Sequence, residues 1–138
     1  MAYFEDAEEV YATIGRLWVE LVADEELAPK LRQAGTIVRY ECSDPDAAIT
    51  IRLQEDQPAE VDFGDSEMEP EVTMTMDADT AHRFWLGDVN VTVALARGQI
   101  KAQGQVAKIL KLVALTKPLF PRYKALLEAQ GREDLVNA

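Results

Sequence analysis

The chain has 138 residues, 48% of them hydrophobic, with 25 acidic against 14 basic side chains and a formal net charge of −11. That length predicts one domain, residues 1–138, with a sizeable core, and the hydrophobic fraction excludes an acidic disordered chain. The charge excludes the simplest nucleic-acid binder, whose footprint is basic, and a single cysteine, Cys42, excludes a disulfide framework and a cysteine-rich zinc site.

The first segment spaces Ala7, Val10, Tyr11, Ile14, Leu17, Trp18, Leu21 and Val22 as one face of an amphipathic helix from about Asp6 to Ala23, with Glu5, Asp6, Glu8 and Glu9 where a helix dipole favours acids. Asp24 predicts the cap of a short second helix through Leu27 and Leu31, ended by Gly35. From Thr36 the period changes to two. Val38/Tyr40/Cys42, Ile49/Ile51/Leu53, Ala59/Val61/Phe63 and Val72/Met74/Met76 describe four strands with one dry face, and the short turns between them predict an antiparallel meander. Asp77 caps a helix through Ala81, Phe84 and Trp85 to Gly87, a short helix from Asp88 to Ala96 follows, and Gly98 to Gly104 reads as a fifth strand. Helical periodicity returns with Val106, Ile109, Leu110 and Val113, breaks at Thr116-Lys117-Pro118, and resumes through Tyr123 and Leu127 to Gly131, with Pro121 in the first turn. The fold class is α+β, a mainly antiparallel sheet of about five strands with helices on one face.

Charge is laid out unevenly along these elements. Residues 41–80 hold thirteen acids and one base, Arg52, whereas Val89 to Leu127 hold seven bases (Arg97, Lys101, Lys108, Lys111, Lys117, Arg122 and Lys124) and no acid. Two readings stay open: solvated faces that neutralise one another, or a basic segment facing an anionic surface or head group. The start of the chain does not read as a signal peptide, and no apolar run approaches the ~18 residues of a membrane span. With one cysteine, this predicts a cytoplasmic protein.

Catalytic chemistry has few candidates. The lone histidine, His82, beside Phe84 and Trp85, reads as a surface or half-buried helical residue, and Cys42 as a small hydrophobe on the dry face of a strand. Asp77-Ala78-Asp79 lacks the ligand spacing of a calcium loop, and the glycines at 98 and 104 lack the lysine of a phosphate loop. No metal, cofactor or catalytic set is expected. An enzyme using Glu20 or Asp88 as base ranks last. What stands out is apolar: Phe84 through Phe120 carries more large hydrophobic side chains than two short helices and a strand need to cover one sheet face. They make either a larger core or a cavity, and Met74 and Met76 suit an adaptable apolar wall.

The Val-Thr-Met-Thr-Met strand, the capped helix with Phe84-Trp85-Leu86-Gly87, and the run from Ala94 through Gly98-Gln99-Ile100-Lys101-Ala102-Gln103-Gly104 to Val106-Ala107-Lys108-Ile109-Leu110-Lys111-Leu112 together resemble the sterol carrier protein family, its type-two sterol-binding domain. The resemblance implies a hydrophobic tunnel between sheet and helices that takes sterols, fatty acids, acyl-CoA esters or phospholipids. It implies that Phe84, Trp85, Ile100, Ala102, Val106, Ile109, Leu110 and Val113 face the ligand, joined by Met74 and Met76. Arg97, Lys101, Lys108 and Lys111 are then candidates for a head group or an anionic membrane at the tunnel mouth. Two features depart from the family: the chain ends Val136-Asn137-Ala138 without a Ser-Lys-Leu-like peroxisomal signal, and the first helix is acidic where the family carries a basic membrane-docking helix. The expected function is non-enzymatic binding, or transfer, of an apolar lipid. The alternative is a homodimeric or accessory interaction module whose surplus apolar surface is a protein interface.

Overall fold

The computed structural model describes residues 2–137. The first helical segment runs as α1 (Ala7–Val10), a wider π-helical turn (Tyr11–Gly15) and α2 (Arg16–Ala23). Asp6 caps it, its carboxylate accepting from the Glu9 N–H at 3.0 Å. The wide turn sits where the segment crosses a sheet edge. Tyr11 stacks on Phe63 at 4.8 Å, and a Cβ on Gly15 would come within 2.7 Å of the same ring, so glycine lets the helix lie that close. α3 (Leu27–Leu31) follows, with the Asp24 carboxylate accepting from the N–H groups of Glu26 and Leu27, and Gly35 at φ 65° turns the chain into the sheet.

The strands are β1 (Thr36–Ser43), β2 (Ala47–Leu53), β3 (Glu60–Phe63), β4 (Val72–Asp77) and β5 (Lys101–Gly104), in the order β3-β2-β1-β4-β5. The predicted meander holds for β1 to β3. β4 instead crosses back and pairs with β1 in parallel, and β5 adds antiparallel to β4. Hydrogen-bond demand accounts for the crossing: β1 spans eight residues and β3 only four, so a fourth strand laid on β3 would leave the longer β1 edge unpaired. One sheet face buries Val38, Ile49, Ile51, Leu53, Val72, Met74 and Met76 under the helices. The other is polar, with the Arg39 guanidinium donating to the Thr50 hydroxyl and the Gly64 carbonyl.

α4 (Ala78–Trp85) is capped by Asp77, which accepts from the Thr80 N–H at 2.6 Å. α5 (Val91–Ala96) starts three residues later than expected, because Asn90, not Asp88, caps it. β5 is shorter than the Gly98 to Gly104 expectation, and Gly104 has a steric reason: at φ 94°, a Cβ there would lie 2.0 Å from the Glu71 carbonyl oxygen. α6 (Ala107–Thr116), a 3-10 turn at Lys117–Leu119 and α7 (Phe120–Ala129) match the expected break and the place of Pro121. A last helix, α8 (Glu133–Val136), carried no sequence signal of its own length.

α8 is held by the histidine. His82 is 0% exposed rather than at or near the surface as expected, because Phe4 and Tyr3 close over it. Its Nε2 lies 2.9 Å from the Leu135 carbonyl and its Nδ1 2.8 Å from the Tyr123 hydroxyl. A carbonyl only accepts, so Nε2 carries the proton and Nδ1 accepts from the tyrosine. Burial pulls the His82 pKa below its ordinary value, and the Leu135 bond and Asp79 offset this only in part. Neutral His82 therefore contributes its full stability above the unfolded value of ~6.5, and that stability is lost as pH falls from there toward the lowered native value. Thermal unfolding followed between about pH 7.5 and about pH 5 should show a falling Tm whose slope is reduced in His82→Gln, which does not titrate.

Candidate apolar ligand site

The sheet register builds a floor beneath the helices. Ile49, Tyr40 and Met74 stand side by side across β2, β1 and β4, with Cys42 and Met76 paired one step along. Ile14 and Trp18 come down from the first helical segment, Ala81, Phe84 and Trp85 from α4, Val91 from α5, and Val113 and Thr116 from α6; Ile100 lies just before β5. Together these enclose an apolar cavity of about 30 Å³. Tyr40 and Cys42 are on the central strand and the covered face, yet each is only half-buried. The helices meet over them without filling the space. Aromatic rings stiffen the roof: Trp18 lies edge-on to Trp85 at 5.6 Å and over Tyr40 at 6.2 Å, and Phe84 and Trp85 each meet Phe120 edge-on.

Among the described residues, no charged side chain lines this space. Burial pushes the Tyr40 hydroxyl well above its ordinary pKa, and burial together with the nearby Asp77 carboxylate pushes the Cys42 thiol up to about 11. Both stay neutral. The Thr116 hydroxyl donates to the Val113 carbonyl at 2.9 Å and is used within its own helix. The Trp18 indole N–H is buried with no acceptor among the described residues. Among those residues there is no group of three or more potential metal ligands, and no helix is long and apolar enough to cross a membrane.

Of the residues expected to face a ligand, Met74, Met76, Phe84, Trp85, Ile100 and Val113 are brought together on the cavity wall. Ile109 is buried in the adjoining core, and Ala102 is half-buried on β5 beside Met74. Val106 and Leu110 lie elsewhere, 43% and 55% exposed. The run from Ile109 to Leu115 offers two apolar stripes, and α6 turns the one with Ile109, Leu112 and Thr116 inward, which puts Leu110 outside. Leu110 lines an outer groove of about 540 Å³ with Lys117, Ala114 and Phe120. Phe84, Val91 and Val113 wall both groove and cavity, so one layer of side chains separates the two.

None of Arg97, Lys101, Lys108 and Lys111 reaches the cavity. Lys108 is engaged, donating to the Gly35 carbonyl at 2.8 Å and lying 3.5 Å from Glu71. Arg97, Lys101 and Lys111 are exposed and take part in no ion pair among the described residues. Glu20 pairs with Arg16 at the surface and Asp88 lines the outer groove, so neither carboxylate faces the cavity. Sequence reasoning missed Ile14, Trp18, Tyr40, Cys42, Ile49, Ala81, Val91 and Thr116 as wall residues. Tyr40 and Cys42, two groups with polar atoms in an otherwise aliphatic strand face, were the available signal.

At about 30 Å³ the cavity has room for a water or two, against the ~300–1,000 Å³ of ordinary ligand pockets, so the tunnel expected from the resemblance is closed in this conformation. Cys42 offers a direct probe of the space. Because its thiol titrates near 11, the alkylation rate should climb about tenfold per pH unit from about pH 8 to about pH 10 without the levelling near ~8.5 of an ordinary cysteine. Mass spectrometry of timed iodoacetamide reactions would show it.

The sequence model of the SCP-2 sterol transfer family matches residues 17–117. Among solved structures, sterol carrier protein 2 from Yarrowia lipolytica in its apo form superposes with a TM-score of 0.68 at 16% identity, covering 85% of this chain and 96% of that one. The sterol carrier protein domain 2 of Helicoverpa armigera gives 0.59 at 18% identity, over 83% and 87% of the two chains. The stereoselective inverting sec-alkylsulfatase Pisa1 from Pseudomonas sp. gives 0.55 at 16% identity, over 64% of this chain and 14% of that one, so the same fold forms a small part of a larger enzyme. No curated protein matches the chain in sequence. The identities with solved structures speak for the fold, an α+β sheet of five strands with one parallel pair, while the sequence match spans most of the chain: this protein belongs to the SCP-2 sterol transfer family.

Proposed function

We propose that the chain binds an apolar lipid, such as a sterol, fatty acid, acyl-CoA or phospholipid, between sheet and helices, and carries it without covalent chemistry or a cofactor. The observation that carries this reading is the charge-free wall over the middle of the sheet, where Tyr40, Cys42, Met74 and Met76 lie beneath helices that do not fill the space above them. A lipid tail needs no polar partner there: each buried methylene contributes ~0.8 kcal/mol, so affinity accumulates with chain length.

Binding requires opening. The unbranched Met74 and Met76 adapt to different shapes at low cost, and the helices over them, α4, α5 and α6, are six to ten residues long. With no cation on the cavity wall among the described residues, an ionised head group stays outside, toward the bases carried between Val89 and Leu127. The buried Trp18 N–H leaves one donor for an uncharged oxygen of the ligand. We place the protein in a reducing compartment such as the cytoplasm, where Cys42 remains a thiol, and we assign it no nucleic-acid partner.

Native mass spectrometry before and after organic extraction of the purified protein tests the reading. A hydrophobic adduct that extraction removes, and that returns on incubation with a mixed lipid extract, is expected. Protein that carries no adduct and takes none up contradicts lipid binding.

A further inference from the structure

The two exposed apolar side chains of the α6 region are one helical turn apart, with Lys117 following on the same face. Val106 is 43% and Leu110 55% exposed, and Leu110 forms one lip of the outer groove whose inner wall is the cavity's own Phe84, Val91 and Val113. Exposed apolar groups above an opening to a closed apolar space have a use if the opening meets another apolar phase.

Charge identifies that phase. Lys117 lines the groove, exposed Lys111 follows Leu110 directly on α6, and neither is in an ion pair among the described residues. Lys101 on β5, opposite Thr75, is on the polar face of the sheet and takes no part in this lip. The acids are distributed the other way: residues 41–80, with thirteen acids, supply β1 to β4, and the β3 edge carries Glu60, Asp62, Asp65 and Glu67. Among the described residues, Asp88 is the one acid lining the groove. A protein of net charge −11 thus carries two lysines, in no ion pair among the described residues, beside an apolar lip, while the β3 edge of its sheet is acidic. Its first helix, by contrast, carries Glu8 and Glu9 in its opening turn and is repelled by an anionic surface.

Resting on the lipid-binding reading, we propose that the groove between α6 and the Gly87–Thr92 segment is the portal to the cavity, and that its lip docks on the surface of an anionic phospholipid bilayer, Leu110 and Val106 inserting at the level of the head groups while Lys111 and Lys117 meet their phosphates. The dipolar charge distribution turns the acidic edge away from the membrane. A lipid chain leaving the bilayer then has one layer of side chains, Phe84, Val91 and Val113, to displace before it lies over Tyr40 and Met74.

Co-sedimentation with phosphatidylcholine vesicles, with and without phosphatidylglycerol, tests the docking. Wild-type protein should bind only the phosphatidylglycerol vesicles and be released by salt. Leu110→Asp, a change at an exposed position, and the pair Lys111→Glu with Lys117→Glu should each lower the bound fraction ~10-fold or more at unchanged Tm. Both variants should still form the fatty-acid adduct when oleic acid is supplied in solution, because the cavity wall is untouched. Absence of wild-type binding to phosphatidylglycerol vesicles, or binding by the variants equal to wild type, overturns the docking face and leaves lipid binding standing. Loss of the oleic-acid adduct in wild type overturns the underlying reading instead. Sedimentation as a dimer that Leu110→Asp dissociates gives the face to a second copy of the chain and also overturns the proposal.

Discussion

The parallel pairing of β4 with β1 is the constraint on which the rest of the molecule depends. It places Met74 beside Tyr40 and Met76 beside Cys42, so that the centre of the sheet presents two long flexible side chains and two that carry a polar atom, rather than a closed row of branched aliphatics. Branched side chains fill the adjoining rows, where Val38 lies between Ile51 and Val72, and there the helices pack down to full burial. Over the Tyr40 and Cys42 positions they do not, and a small apolar cavity remains. β5 completes the arrangement because Gly104 approaches the Glu71 carbonyl too closely for any other residue, which fixes where α6 begins.

Much of this was legible in the chain. Period-two apolar residues located four strands and the glycines at 98 and 104 the fifth, and Asp6, Asp24 and Asp77 marked helix starts through the same carboxylate-to-N–H bonds that the structure contains. The crossing of β4 was not legible: alternation records which face a residue takes, not which neighbour its strand chooses, and short spacing favours the adjacent strand by default. The buried state of His82 was hidden for a related reason. Its partners, Tyr123 and the Leu135 carbonyl, are 41 and 53 residues away, and α8 is too short to announce itself.

The candidate site divides in the same way. Met74, Met76, Phe84, Trp85, Ile100 and Val113 were found from their pattern and from resemblance, and they share one wall. Val106 and Leu110 were expected on that wall, because the sequence of α6 supports two apolar stripes and only packing selects between them. Their exposure is the more informative outcome. Together with Lys111 and Lys117, which take part in no ion pair among the described residues, they give the lip of the outer groove a surface unlike the acidic β3 edge. The apolar surplus of the second half of the chain is thereby divided between a core, a closed space and an exposed lip.

The central claim is that the closed cavity opens to admit an apolar chain, and the protein carries its own reporters for this event, since its two tryptophans, Trp18 and Trp85, are both on the cavity wall. Titration with a polyene fatty acid, exciting tryptophan and reading sensitised polyene emission, measures occupancy at that wall. The account predicts saturable energy transfer with one ligand per chain. Tryptophan emission that stays constant throughout the titration, with the polyene remaining free in solution, would contradict it.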